Sequence, residues 1–202
     1  MLFRSAAVLA AILGPQLLAS LLVAGREGLL LMPFGSLISG MLVLTIAAFS
    51  GPYGTIGMRA AAPARWLEAL LAVPIGYGLA LAWVTLLRYA LGDAIEDDFL
   101  PELLSRLGPG WALVVIAATP AVVEEIAFRG MLQGRLMALL GARIGFVVTA
   151  FAFTLAHMSP ATMPIHLGIG LYLGWLRERS RSLLPGMLVH FGYNASVLLL
   201  PM

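Results

Sequence analysis

The sequence contains no cysteine. Disulfides, thiolate zinc sites and a cysteine nucleophile are therefore all excluded. Lysine is absent too, since every basic residue is an arginine; this is a bias of GC-rich, bacterial genomes and says little about chemistry. Charge of either sign is scarce: 11% of the 202 residues are charged, against about 25% in a soluble domain. What fills the chain instead is apolar, with 61% hydrophobic residues and a mean hydropathy of +0.98. No soluble fold of this size hides that much apolar surface, so the chain reads as an integral membrane protein. The formal net charge of +2 is too small to suggest a nucleic-acid partner. No internal repeat and no low-complexity linker interrupts it, so residues 1–202 form a single transmembrane domain.

A helix crosses a bilayer with roughly 17–25 apolar residues. Such runs fall at about 5–24, 28–50, 67–91, 110–133, 141–157, 162–176 and 183–200. The expected fold class is all-α, a polytopic bundle of about seven spans in the lipid bilayer. The first run begins beside Arg4 and resembles a signal peptide, but its length and the spans that follow it predict a retained helix. Basic loops mark the cytoplasmic side. Arg59 and Arg65, the turn from Arg135 to Arg143, and Arg177, Arg179 and Arg181 alternate with an acidic loop from Gly92 to Glu102. This pattern predicts a multi-pass protein of the cell inner membrane with a cytoplasmic N-terminus.

Within the fourth span, VVEEIAFRG (Val122 to Gly130) places Glu124, Glu125 and Arg129 where water is scarce. Each such group costs about 2.5–3.5 kcal/mol at mid-membrane. Glu125 and Arg129 stand at i and i+4, on one helix face, and predict an ion pair. That accounts for two of the three. Glu124 points about 100° away around the helix and is expected to face a different neighbour, without that cation, ready to exchange a proton. Upstream, Pro120 frees the carbonyl of Ile116 and bends the helix.

Other polar residues within the spans are His157, ending FAFTLAH, and His190 with Asn194 in HFGYN, again at i and i+4. His166 reads as a helix–helix hydrogen bond, and Gly168, Gly170 and Gly174 as a close-packing face. Depth connects the first group. Counting about 1.5 Å per residue from the arginine flanks, Glu124, His190 and His157 fall roughly 16, 13 and 21 Å in, one slab within about 8 Å.

These residues resemble the signature of the type II CAAX prenyl endopeptidase family, the Abi or CPBP intramembrane proteases: E-E-x-x-x-R, F-x-x-x-H and H-x-x-x-N on separate helices. Here they stand as Glu124-Glu125 with Arg129, Phe153 with His157, and His190 with Asn194. The resemblance covers about residues 120 to 196, within a family-like core of about 110–200. It implies an intramembrane endopeptidase. Glu124 would activate water, assisted by His157; His190 and Asn194 would stabilise the oxyanion; Glu125 and Arg129 would hold the site. The cavity is expected to open to the cytoplasmic side.

Two histidines and a glutamate also make a zinc set, Glu124, His157 and His190. H-E-x-x-H is absent, however, and each histidine comes from a different helix, so a glutamate-dependent site without a cofactor is favoured. A peptide or membrane-protein substrate fits better than a prenylated tail, which bacteria generally lack. Two alternatives share the same residues: a non-enzymatic membrane immunity or assembly factor, and a proton-coupled transporter built on a buried relay. The missing repeat weighs against transport.

Overall fold

The computed structural model describes residues 57–92, 99–157 and 159–200, with a few isolated positions between 6 and 43. The expected spans at 5–24 and 28–50 lie outside the described residues apart from those positions, as does most of the acidic loop, residues 93–98. The described chain is helical, with no strand among its described residues. Five of the expected spans fall on its helices.

Helix α1 (Pro63–Leu91) opens with proline in its first turn, where no backbone N–H is needed. It is apolar all round and long enough to cross a membrane, with a mean hydropathy of 2.0. Leu70, Leu71, Ile75 and Leu79 point outward along it, as a face turned to lipid would. Helix α2 (Phe99–Ala112) breaks at Gly108, whose φ of 72° needs a residue without Cβ.

Beyond that break the chain runs as one long irregular rod. A π-helical stretch (Leu113–Ala118) leads into α3 (Thr119–Glu124). A second π-helical stretch (Glu125–Gln133) leads into α4 (Gly134–Leu140). The wider π turn is rare and concentrates at functional sites. Here it begins between the two glutamates, and all nine of its residues are buried.

Gly141, at φ 85°, reverses the chain into α5 (Ala142–Ala156). A short 3₁₀ turn (Pro160–Thr162) leads to α6 (Met163–Ser180). Arg181 then turns the chain in the left-handed region, and α7 (Leu184–Leu199) returns. Helix α1 packs on α7 and α6, α5 on α4 and α6, and α7 on the Leu113–Ala118 stretch.

The core is built around the rod: Val123, Ile126, Phe128, Met131 and Leu132 pack with Phe153 and Leu183. Close approach of α6 to α5 depends on Gly170 and Gly174, the latter also facing Gln133 of the rod. A Cβ at Gly174 would lie 2.9 Å from Phe146 and 3.0 Å from Gln133 Oε1, and one at Gly170 3.2 Å from the Ala150 carbonyl. Gly168 does not share this role, since a Cβ there meets nothing within 4 Å. Two residues before Gly170 on an α-helix lies the opposite face, so the packing stripe begins at Gly170.

Candidate active site

Helix α7 lays its polar residues against the rod. His190 Nδ1 is 3.1 Å from Glu125 Oε1, and His190 Nε2 is 3.9 Å from Glu124 Oε2. Arg129 Nη1 donates to the same Glu125 oxygen at 2.9 Å, so the i, i+4 pair forms as its spacing predicts. Arg129 also donates to the Gly170 carbonyl at 3.2 Å. Its guanidinium carbon lies 4.3 Å from the centre of the Phe153 ring, a cation–π contact that helps keep a buried charge in place.

The two glutamates do not face separate neighbours. Both approach His190, Glu125 through Oε1 at 3.1 Å and Glu124 through Oε2 at 3.9 Å. They differ instead in access. The Glu125 side chain is 1% exposed and gripped from two sides, whereas that of Glu124 is 16% exposed. Glu124 Oε2 is buried and accepts no hydrogen bond within the described structure.

His157 ends α5, and its Nδ1 lies 2.8 Å from the Phe153 carbonyl. A carbonyl only accepts, so Nδ1 carries the hydrogen and neutral His157 keeps a lone pair on Nε2. The same logic applies to His190, whose Nδ1 faces a carboxylate; its Nε2, toward Glu124, is bare when the ring is neutral and a donor when it is charged. His157 lies within electrostatic reach of Glu124, His190 and Arg129.

Asn194 Nδ2 donates to the Ile116 carbonyl at 3.0 Å. This is the carbonyl that Pro120 deprives of its helical partner. One amide hydrogen of Asn194 thus secures the bend, and the second remains for another acceptor.

Three residues have contacts beyond those the sequence reading gave them, and one of them, Gln133, was not named there. Phe153 is a hub: its ring centre stands 4.7 Å from that of His157, 5.8 Å from His190 and 5.3 Å from Phe128. His166 stacks on His157 at 3.9 Å with a 27° tilt, so all three histidines of the chain meet at one place. Gln133 extends the ladder begun by Glu125 and Arg129, donating to the Gly174 carbonyl at 3.1 Å and to Glu178 Oε1 at 3.0 Å. The repeated four-residue step of Glu125, Arg129 and Gln133, matched by Gly170 and Gly174, is the signal that would have found it.

A cavity of about 570 Å³ adjoins the cluster and is walled by His166 and Asn194 together with Trp83, Tyr193 and Ser159. An apolar groove of about 760 Å³ between α1, α6 and α7 shares Trp83, Ile165 and Tyr193 with it. As for metal, no three His, Cys, Asp or Glu side chains among the described residues stand together closely enough to hold an ion. The set Glu124, His157 and His190 therefore does not fit zinc as placed, and no step is routed through one.

Residues 106–196 match the family model described as type II CAAX prenyl endopeptidase Rce1-like. That segment holds every motif residue, and over it the chain is similar to the CAAX protease family. No curated protein and no solved structure matches the chain significantly. The family match and the apolar helices together point to a membrane protein of CAAX-protease type.

Proposed function

We propose that the protein is an intramembrane endopeptidase in which Glu124 activates the attacking water. The observation that carries this reading is the inequality between adjacent carboxylates. Glu125 is held through Oε1 by Arg129 at 2.9 Å and by His190 at 3.1 Å, whereas Glu124 has no such cation contact, its Oε2 standing 3.9 Å from His190; the Oε2 of each is buried and unbonded among the described residues. A carboxylate kept free of a cation's grip is the one able to take a proton.

In the reaction, the water oxygen bonds to the scissile carbonyl carbon and its proton passes to Glu124. The carbonyl oxygen becomes the oxyanion. It is met by the second amide hydrogen of Asn194 and by His190 Nε2 when that ring is protonated. The C–N bond then breaks, and the proton held on Glu124 passes to the departing amine. His157 assists through Nε2, its ring fixed by the Phe153 carbonyl and by stacking. Glu125 and Arg129 hold His190 in place. No acyl-enzyme forms, because no hydroxyl or thiol nucleophile takes part. No metal enters the scheme. The substrate is a peptide or a membrane protein, and the N-terminus and the basic loops lie in the cytoplasm of an inner membrane.

The test is comparative proteomics of membranes carrying the wild-type protein or Glu124→Gln, read as new peptide termini. A general base contributes about 10²–10⁴-fold, so the termini should vanish in the variant while the protein inserts and melts as before. Termini that persist with Glu124→Gln would overturn the proposal.

A further inference from the structure

We infer that the turn between α6 and α7 is a binding site for a phosphate ester, presented by the headgroup of an anionic phospholipid. The inference is independent of the protease reading, because binding needs no cleavage.

The site is a polar-walled pocket of about 190 Å³, lined by Arg177, Glu178, Arg181, Ser182 and Leu183 and, from the preceding loop, by Gly57. Drug-sized ligands occupy pockets of about 300 Å³ or more, so this one takes something the size of a headgroup. Its walls are preformed. Ser182 Oγ donates to the Arg59 carbonyl at 2.6 Å and accepts from the Leu184 N–H at 3.2 Å, and the Leu183 N–H donates to the Gly57 carbonyl at 2.7 Å. A Cβ at Gly57 would stand 2.9 Å from the Arg181 carbonyl oxygen, so the loop closes tightly on the turn.

The charges around the pocket are unequal. Arg177 pairs with Glu178, and Glu178 also accepts from Gln133 at 3.0 Å. The Arg181 guanidinium makes no hydrogen bond or ion pair among the described residues. The pocket therefore carries one uncompensated positive charge, which matches the single negative charge of a phosphodiester. The rest of the chain offers little to cancel it. Residues 1–56 contain a single acid, Glu27, which the expected span at 28–50 separates from this loop. The acids of 93–98 follow the far end of the 29-residue α1.

The backbone of Arg181 is an independent observation. At φ 49° and ψ 33° it is the one non-glycine residue with positive φ among the described residues. Its N–H donates to the Arg177 carbonyl at 2.9 Å and ends α6, a position where glycine is the usual choice. An arginine is kept where a glycine would fit with less strain, and strain of this kind gathers at ligand sites.

Depth fits a lipid headgroup. Trp175 is 39% exposed, and the Arg179 guanidinium carbon lies 4.8 Å from its ring centre; exposed tryptophan marks the membrane–water interface. At about 1.5 Å per residue, Arg177 and Arg181 fall roughly 3 and 9 Å beyond it along the helix. That carries them across a headgroup layer about 5–7 Å deep on each side. Basic pockets between helices at this level bind anionic headgroups.

The test titrates the whole chain, purified in neutral detergent, with phosphatidylglycerol, phosphatidylcholine or inorganic phosphate. Thermal unfolding reads stabilisation, and native mass spectrometry counts retained lipid. Phosphatidylglycerol should raise the Tm and remain bound, and phosphatidylcholine, whose choline cancels the charge, should do so far more weakly. Arg181→Gly removes the guanidinium but suits the backbone. Without lipid it should melt at or above the wild type, while its affinity for phosphatidylglycerol falls roughly 10–100-fold, as the loss of a charge-assisted hydrogen bond predicts. Arg181→Asn, which also tolerates the left-handed region, should behave alike. Arg143→Gln, at an exposed arginine outside the pocket, should leave affinity unchanged. Equal losses at positions 143 and 181 would mean a diffuse field and overturn the site. An undiminished phosphatidylglycerol response in both position 181 variants would overturn it too, and inorganic phosphate as effective as the lipid would overturn the lipid as its source.

Discussion

Replacing Arg129 with methionine isolates what a guanidinium does in the middle of this bundle. Arg129 is 1% exposed. Its charge is met by Glu125 Oε1 at 2.9 Å, by the Gly170 carbonyl at 3.2 Å and by the Phe153 face at 4.3 Å. Methionine keeps much of the packing volume but strands a Glu125 that is 0% exposed. Breaking a buried pair from one side costs about 3–5 kcal/mol, because the surviving charge remains buried. For a chain of this length that is a fall in Tm on the order of 6–20 °C. Glu125→Gln alone strands the guanidinium and should cost a similar amount. Combining the two strands nothing, and replacing both members of a buried pair is often close to neutral. The double variant should therefore recover most of the loss, giving a large coupling energy in the cycle. The assay is thermal unfolding in detergent micelles, followed by circular dichroism. A double variant that melts as low as the two single losses added together would show that stranded charge is not what destabilises, and the reasoning would fail.

Three further outcomes follow from the packing and the bend. Gly174→Ala drives a Cβ to 2.9 Å from Phe146 and should cost about 1–3 kcal/mol by overpacking, whereas Gly168→Ala, with nothing within 4 Å, should leave the melting curve unchanged; equal effects at the two glycines would contradict the assigned helix face. Asn194→Leu should cost about 1–3 kcal/mol by leaving the Ile116 carbonyl without its donor, and adding Pro120→Ala, which restores a backbone N–H, should return part of that stability without returning cleavage. Exhaustive chelation should leave cleavage intact with no stoichiometric zinc in the active protein by elemental analysis, and activity lost on chelation and regained with added zinc would reject the glutamate-only scheme.

How much of this could be read from the sequence depends on whether an interaction is local. The Glu125–Arg129 pair was legible because i and i+4 share a face in any helix close to α. Pro120 revealed a deprived carbonyl at Ile116, but not that Asn194, in the last helix, would serve it; that pairing exists only once α7 lies against the rod. The depth estimate brought Glu124, His157 and His190 to one level. It said nothing of rotation, and so missed that Glu124 and Glu125 meet the same imidazole. His166 looked like an isolated packing residue because ring stacking across α5 and α6 leaves no mark in spacing. Phe153 was visible as a motif letter, yet its contacts with two histidines and an arginine are purely tertiary. The π register from Glu125 to Gln133 has no sequence signature at all.

That register has a consequence for how the protein tolerates change. A π stretch holds more residues per turn than an α-helix, and deleting a single residue is the simplest way to lose it. Removing any one residue between Gly130 and Gln133, even an unremarkable methionine, would turn everything downstream by about 100° relative to Glu125. The hairpin into α5 would then swing His157 away from its partners with every motif letter still present. Length, as much as identity, is therefore under constraint here, and a shortened homologue with all seven signature residues should be a folded but inactive protein.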